Sequence, residues 1–297
     1  MPLFDVPLYE VLPQGYLIMF VMIGAALGSF FNVLVIRWPR HQIAKNDQEA
    51  ATWQALRNKD NTQLKLANSA EIPTLMGGRS KCPCCGNPIP IYCNIPIVSW
   101  LVLRGTSQCC KKPIKFQYLG YELFGGLLFT AIGLTVGPSM YGLVLGIFLM
   151  ILSLAAMVDL KEGFIPDSVL FAGYMVAMLL TTGPHWTDMT TAFEIGSIAF
   201  FSLYLPFRLY AAIRGQAGMG CADMHLIGLC GVFLGSQLLW IGLPLIPLLF
   251  VTWYVFHKQW LPRGLFVQVV GPTGIPAGPA IVASTFVITA LKISGHL

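Results

Sequence analysis

Charged residues are scarce in this chain: they make up 10% of its 297 residues, whereas hydrophobic residues make up 56% and the mean hydropathy is +0.69. Ordinary soluble domains carry about 25% charged residues, so the composition excludes a soluble globular protein. Long apolar runs fill most of the sequence instead. Because a run of about 20 apolar residues spans a bilayer, the composition predicts an all-α polytopic membrane protein.

Eight apolar segments are long enough to be transmembrane helices, with one large loop between the first and the second. The polar part of this loop, residues 41–70, lacks a strong periodicity and predicts a flexible or weakly helical insertion. The predicted segments are 16–36, 116–136, 140–158, 167–182, 193–213, 224–240, 241–257 and 278–293.

Basic residues are absent from the start of the chain and from two of the predicted loops. Residues 1–10 contain no Lys or Arg, so they lack the basic region of a signal peptide, and we expect the first apolar run to be a retained helix. The loops near 137 and 183–191 also contain none, whereas twelve of the 18 basic residues lie between Arg37 and Lys115. Lys and Arg mark cytoplasmic loops, so we expect a cytoplasmic large loop and an N-terminus outside. Topology and contact with lipid headgroups explain the basic excess better than nucleic-acid binding.

Two aspartates stand at the predicted cytoplasmic ends of apolar helices. Asp159 follows the run 140–158, and Asp223 follows the turn Gly218-Met219-Gly220-Cys221-Ala222. An acid at membrane depth costs about 2.5 to 3.5 kcal/mol on insertion scales, which favours a functional role. Two close carboxylates hold one proton between them, so one can deprotonate a water molecule while the other polarises a carbonyl group. The pair predicts a hydrolytic dyad.

Other acids have competing interpretations. Asp167 follows Ile165-Pro166 and is interpreted as the cap of the next helix, and Glu122 as a structural or substrate-contacting group. Asp159, Glu122 and Asp223 together are also compatible with a proton or cation relay in a transporter. A third alternative is a peptidase-like membrane scaffold without activity.

Six of the eight cysteines lie in the large loop. Cys82 and Cys85 form a C-x2-C pair, and a second thiol cluster about 25 residues later resembles a zinc ribbon, because tetrahedral zinc takes four ligands from two tight turns. Cys82, Cys85 and Cys110 are the first candidates, and Cys109, Cys84 or Cys93 supplies the fourth ligand. Our predicted set is Cys82, Cys85, Cys109 and Cys110, and the alternative is a group of reduced, partly buried thiols.

The first apolar segment contains Gly24 and Gly28, four residues apart, followed by Asn32. Small residues at this spacing allow another helix to approach closely, and a polar Asn in a membrane helix needs an interhelical partner. Both features predict helix packing.

Taken in order, these motifs resemble the bacterial type IV prepilin peptidases, which are membrane aspartic proteases of the GxGD class. The resemblance covers nearly the whole chain. The matching pieces are Gly28-Ser29-Phe30-Phe31-Asn32 with Arg37, Cys82-Pro83-Cys84-Cys85, Asn94-Ile95-Pro96, Ser99-Trp100-Leu101, Leu103-Arg104-Gly105, Tyr118 with Glu122, Asp159 with Pro166-Asp167, and Gly218-Met219-Gly220 with Asp223.

The resemblance implies an enzyme of the bacterial inner membrane that removes the leader of type IV prepilins or type II secretion pseudopilins. It implies Asp159 and Asp223 as the catalytic pair, and a second reaction, N-methylation of the new amino terminus with S-adenosylmethionine, with which Gly105 is associated. The domains are then a first helix (1–36), a loop domain with a zinc site (37–115) and a seven-helix protease core (116–297). Three residues depart from the family pattern: Ala222 replaces a Gly, His225 a Lys, and Ser107 a Cys.

Overall fold

The structure is a computed structural model. It describes residues 15–75, 82, 84–90, 93, 97–137, 139–183, 187–215, 220–260 and 276–295. Some residues named above lie outside the described residues: 1–10, Pro83, Asn94-Ile95-Pro96 and Gly218-Met219.

The described residues form α-helices and connecting turns, and no β-strand occurs among them. This confirms the predicted all-α class. A π-helical segment, Leu238–Gly242, leads directly into one of the helices. The helices are α1 (Tyr16–Arg57), α2 (Asn61–Ser69), α3 (Val98–Val102), α4 (Phe116–Thr135), α5 (Met140–Glu162), α6 (Asp167–Thr181), α7 (Met189–Arg214), α8 (Cys221–Leu234), α9 (Leu243–Trp260) and α10 (Gly278–Ile293).

Four helices in the described part of the chain, α1, α4, α5 and α7, are long and apolar enough to cross a membrane. Shorter apolar helical stretches cover Asp167–Thr181, Cys221–Leu234, Leu238–Thr252 and Gly278–Ile293. The helices therefore fit a membrane protein. The eight stretches overlap the eight predicted segments, and eight as the number of spans stays a prediction.

The polar stretch after the first apolar segment is helical, so the flexible alternative is wrong. α1 continues to Arg57, because residues 42–57 contain four Ala and three Gln, which favour helix. The Asp60 carboxylate caps α2 by accepting the backbone N–H groups of Thr62 and Gln63 at 2.9 and 3.1 Å. α2 folds back on α1, where Gln48 Nε2 donates to the Ala67 carbonyl oxygen at 3.0 Å.

The predicted segment 224–240 ends earlier, because α8 stops at Leu234. Gly235 has φ 62° and ψ −143°, a conformation that side chains disfavour, and its N–H donates to the Gly231 carbonyl oxygen at 2.9 Å. The break, Gly235-Ser236-Gln237, is short and lies between apolar residues, so apolar patterning alone placed the boundary too late.

The chain separates into two compact units. One runs from Ala25 to Phe124, and the other combines the described residues before Ala25 with those after Phe124. In the second unit, α5 contributes fully buried side chains, including Phe148, whose ring centroid lies 4.5 Å from that of Phe233 in α8. This aromatic contact joins the two helices that carry the predicted aspartate pair.

The small residues of α1 allow close helix packing, as predicted. Within the first unit, a Cβ added at Gly28 would collide with the Tyr121 carbonyl group of α4. Asn32 is buried, and its Oδ1 accepts a hydrogen bond from Gln117 Nε2 at 3.2 Å. The predicted interhelical partner of Asn32 is thus found on α4.

Candidate active site

Asp159 lies in the last turn of α5 and is only 5% exposed to solvent. Its Oδ2 accepts a hydrogen bond from the backbone N–H of Gly278, the first residue of α10, at 2.8 Å. The first amides of a helix have no partner within the helix and favour a negative charge, so a carboxylate at this position is stabilised. One oxygen of Asp159 is therefore fixed by backbone.

Asp223 lies in the first turn of α8, which begins at Cys221 with Gly220 in the cap position. Its side chain is half-buried and interacts electrostatically with that of Asp159. The C-terminal end of α5 and the N-terminal end of α8 thus bring the two predicted carboxylates together. Two carboxylates in a site with little water hold a proton between them, which suits water activation by one and carbonyl polarisation by the other.

The remaining acids have other surroundings. Asp167 is exposed and is the first residue of α6 rather than its cap, because Pro166 occupies the cap position. Glu122 Oε2 accepts the backbone N–H of Ile97 at 2.7 Å, which is a structural contact. Ile97 has φ 62°, so the Glu122 contact holds a strained backbone position at the start of α3.

Two of the three departures from the family pattern lie beside Asp223. Ala222 belongs to the first turn of α8 and does not have a positive φ, so its methyl group is compatible with the local backbone. The His225 ring lies against Phe200, with 4.7 Å between ring centroids. The backbone carbonyl oxygen of His225 accepts a hydrogen bond from the Tyr174 hydroxyl at 2.8 Å. These contacts tie the first turn of α8 to α6 and α7.

The cysteine sulfurs of Cys82, Cys85, Cys109 and Cys110 lie within 4.8 Å of one another. Zinc–sulfur bonds of about 2.3 Å place the sulfurs of a tetrahedral site about 3.8 Å apart. The separation from Cys82 Sγ to Cys110 Sγ is 3.7 Å, and that from Cys85 Sγ to Cys109 Sγ is 3.2 Å. The four residues fit a zinc ion with small adjustments.

A tight turn makes it possible for adjacent Cys109 and Cys110 to converge. The backbone N–H of Lys111 donates to the Ser107 carbonyl oxygen at 2.9 Å, and that of Ser107 donates to the Lys112 carbonyl oxygen at 2.8 Å. Ser107 lies among the sulfurs, with its Oγ 3.6 Å from Cys82 Sγ and 3.1 Å from Cys109 Sγ.

The other candidate ligands are not among these four residues. Cys93 Sγ donates to Gln108 Oε1 at 2.9 Å, and Cys84 is exposed. Neither belongs to the cluster of sulfurs that the structure brings together.

Local hydrogen bonds change the acidity of the clustered thiols. The backbone N–H of Cys85, the Ser107 hydroxyl and the backbone N–H of Cys84 lower the pKa of Cys82 to about 6. The backbone N–H of Lys112 lowers the pKa of Cys110. The backbone N–H of Asn87 lowers the pKa of Cys85, but contact with Cys109, burial and contact with Cys82 together outweigh it and raise that pKa to about 12. The two lowered values favour the thiolate form that a zinc ion requires.

Gly105 lies beneath the indole ring of Trp100. It has φ 70°, and a Cβ added there would lie 2.9 Å from Trp100 Cζ2. Its N–H donates to the Trp100 carbonyl oxygen at 2.9 Å, and its own carbonyl oxygen accepts from Ile114 at 2.8 Å. The space above Gly105 is therefore filled by a side chain of the same loop, and glycine is required for both conformation and close approach.

Sequence reasoning did not identify Gly278. The available signal was Gly278-Pro279 at the start of the last apolar segment, because proline in the first turn marks a helix N-terminus, where free amides bind anions. Nothing in the sequence indicated which anion these amides meet.

The sequence matches two protein-family models and several curated relatives. Residues 22–136 match the Bacterial Peptidase A24 N-terminal domain, and residues 143–257 match the Type IV leader peptidase family. The chain is 31% identical to a prepilin leader peptidase/N-methyltransferase of Aeromonas hydrophila, over 80% of this chain and 78% of the relative. It is 28% identical to a protein of the same name from Neisseria gonorrhoeae, over 90% of this chain and 87% of the relative. No solved structure matches.

Proposed function

The chain belongs to the type IV leader peptidase family, and from this premise we propose that it is an aspartic endopeptidase that cleaves prepilin leaders with Asp159 and Asp223. The observation that carries the proposal is the pairing of a buried carboxylate, Asp159, with a half-buried one, Asp223, at the ends of two apolar helices. The family assignment favours this function over a transporter, which was the alternative from another class.

The reaction follows from the two carboxylates. The ionised member removes a proton from a water molecule, which attacks the scissile carbonyl carbon, while the protonated member donates a hydrogen bond to the carbonyl oxygen. Collapse of the tetrahedral intermediate breaks the C–N bond, and a proton passes to the leaving amine. The backbone N–H of Gly278 keeps one oxygen of Asp159 in place throughout.

The test is cleavage of a candidate prepilin by purified protein in which Asp159→Asn or Asp223→Asn has been introduced. Asn is close in size to Asp and retains an acceptor oxygen for the Gly278 N–H, so folding should be preserved. General acid–base catalysis contributes about 100-fold to 10,000-fold to the rate. We therefore expect the cleavage rate of each variant to fall by about 100-fold or more.

Asp167→Asn is the matched control, because Asp167 is exposed in the first turn of α6. It should cleave at close to the wild-type rate. Near-normal cleavage by either dyad variant would remove that residue from the mechanism, and an inactive wild-type protein would favour the scaffold alternative.

We also propose that Cys82, Cys85, Cys109 and Cys110 hold a structural zinc ion. The sulfur separations support this assignment, as do the two thiols whose pKa is lowered. Bound zinc would supply four bonds joining the turn at Cys82–Cys85 to the turn at Ser107–Lys111. It has no place in the peptide-bond chemistry described above.

The second activity that we propose is N-methylation of the amino terminus released by cleavage, in agreement with the names of the relatives. S-adenosylmethionine would supply the methyl group to that amine. We propose that Gly105 belongs to the methyl-transfer site through its support of Trp100, because the Trp100 ring occupies the space that a direct cofactor contact would need.

The proposed location is the bacterial inner membrane, with the N-terminus outside and the basic loop in the cytoplasm, as the distribution of Lys and Arg predicts. The proposed substrates are type IV prepilins or type II secretion pseudopilins, with lipids as the other partner and no role for nucleic acid. We propose the division into a first helix (1–36), a loop domain (37–115) and a protease core (116–297) as the functional organisation.

A further inference from the structure

We propose that Gly278 is a positioning residue for the Asp159 carboxylate. It acts through a backbone N–H that binds Oδ2 and through the absence of a side chain, which leaves room for the carboxylate. This inference rests on the proposed function, since it assumes that Asp159 is a member of the catalytic pair.

The hydrogen bond is buried and joins residues far apart in the sequence. Gly278 N lies 2.8 Å from Asp159 Oδ2, at a helix start that is also shielded from solvent. The next residue, Pro279, has no N–H, so the Gly278 amide is the donor that this end of α10 directs at Asp159. Hydrogen bonds to an ionised acceptor are roughly twice as strong as neutral ones.

The close approach of Asp159 to Gly278 leaves no room for a side chain at position 278. A Cβ built there would lie 2.7 Å from Asp159 Oδ2 and 3.2 Å from both Asp159 Cβ and Cγ. A side chain at this position would therefore displace either the carboxylate or the start of α10. Alanine introduces this collision with the smallest possible group.

Displacement of Asp159 would act on the chemical step rather than on substrate binding. Catalysis requires the carboxylate to reach a bound water molecule and the scissile carbonyl group, and a misplacement of about 1 Å can cost 100-fold in rate. Asp159 is buried and its Oδ2 is already bound to backbone, so we expect the prepilin to be recognised by other parts of the protein. A change confined to kcat is then the signature of lost positioning.

The experiment compares Gly278→Ala with Gly242→Ala in full-length protein reconstituted in lipid nanodiscs with a prepilin that the wild type cleaves. Gly242 is a matched control, because a Cβ added there would lie 2.7 Å from Leu238 Cδ1 and 3.3 Å from Ile288 Cδ1 of α10. It perturbs the packing of the same helix without touching Asp159. Thermal unfolding is measured for both variants.

We expect kcat of Gly278→Ala to fall about 10-fold to 100-fold, with KM changed by less than about threefold. Gly242→Ala should show a similar shift in unfolding temperature but a kcat close to wild type. Equal kcat values for the two variants, or a loss in Gly278→Ala expressed only in KM, would overturn the inference.

A second variant covers the case in which Gly278→Ala does not fold. Replacement of Gly278 by glycolic acid, introduced by cell-free translation, converts the amide into an ester, which replaces the N–H by an oxygen and adds no side chain. A loss in kcat of about 10-fold or more is expected, because a hydrogen bond to a charged group is lost. Wild-type kcat in the ester variant would overturn the role of the hydrogen bond, and a wild-type protein that cleaves no prepilin would refute the proposed function and this inference with it.

Discussion

Exchanging the roles of Ser107 and Cys109 tests the proposed zinc site at the point where this chain departs from its family. Ser107 Oγ lies 3.6 Å from Cys82 Sγ, close to the edge of about 3.8 Å expected between ligands of a tetrahedral zinc ion. A sulfur at position 107 would therefore stand at ligand distance. It would also form a regular C-x2-C pair with Cys110.

The perturbation is a series of three variants: Cys109→Ser, Ser107→Cys with Cys109→Ser, and Cys93→Ser. The first removes a proposed ligand, and the second restores four thiols through position 107. The third is the control, because Cys93 Sγ donates to Gln108 rather than joining the cluster.

We expect wild-type protein and the double variant to hold about one zinc ion per chain, because a structural zinc site requires four ligands. Cys109→Ser should hold zinc at least about 100-fold more weakly, since loss of a supporting contact alone costs 10-fold to 100-fold in affinity. Zinc binding and folding are coupled, so Cys109→Ser should also expose the turn at Ser107–Lys111 to proteolysis.

The assay is elemental analysis of protein purified without chelator, followed by competition with a chromogenic zinc chelator. Cys93→Ser should match wild type in both measurements. Tight zinc binding by Cys109→Ser would exclude Cys109 as a ligand, and wild-type protein free of metal would favour reduced thiols over a zinc site.

Two further predictions concern glycines at close contacts. Gly105→Glu should abolish methyl transfer to a leaderless pilin while leader cleavage stays within about threefold of wild type, since the atoms nearest to Gly105 belong to Trp100 of the same loop. Methyl transfer is measured by labelled-methyl incorporation and cleavage by gel shift, and equal loss of both activities would refute the separation. Gly28→Leu should lower the yield of folded protein and its unfolding temperature. Overpacking typically costs about 1 to 3 kcal/mol, and the contact here is with the backbone of Tyr121. A melting curve in detergent that equals that of the wild type would contradict this prediction.

Composition and side-chain chemistry were sufficient to predict the all-α class and the two aspartates. Charged residues are rare in bilayer-spanning helices, so Asp159 and Asp223 were conspicuous at the ends of long apolar runs. The partner of Asn32 was also foreseeable in kind, because a buried amide in a membrane helix needs another polar group, although Gln117 itself could not be identified from the pattern.

The features that sequence reasoning missed depend on backbone. Every residue except proline has a backbone N–H, so the residue type at position 278 does not indicate that its N–H binds Asp159. The grouping of Cys82, Cys85, Cys109 and Cys110 was predicted from their spacing, but the turn that lets adjacent Cys109 and Cys110 converge depends on backbone hydrogen bonds that hydropathy does not encode. The helical continuation of α1 was missed because a polar helix has no apolar face to mark its period.

The length of α1 also determines where the protein tolerates additions. Its 42 residues extend about 63 Å at 1.5 Å per residue, roughly twice the thickness of a bilayer core. Beyond the apolar part, α1 and α2 form a helical hairpin whose tip, Asn58-Lys59-Asp60, is exposed. A small rigid domain inserted at this tip would give cryo-electron microscopy an alignment marker at a site remote in sequence from both aspartates.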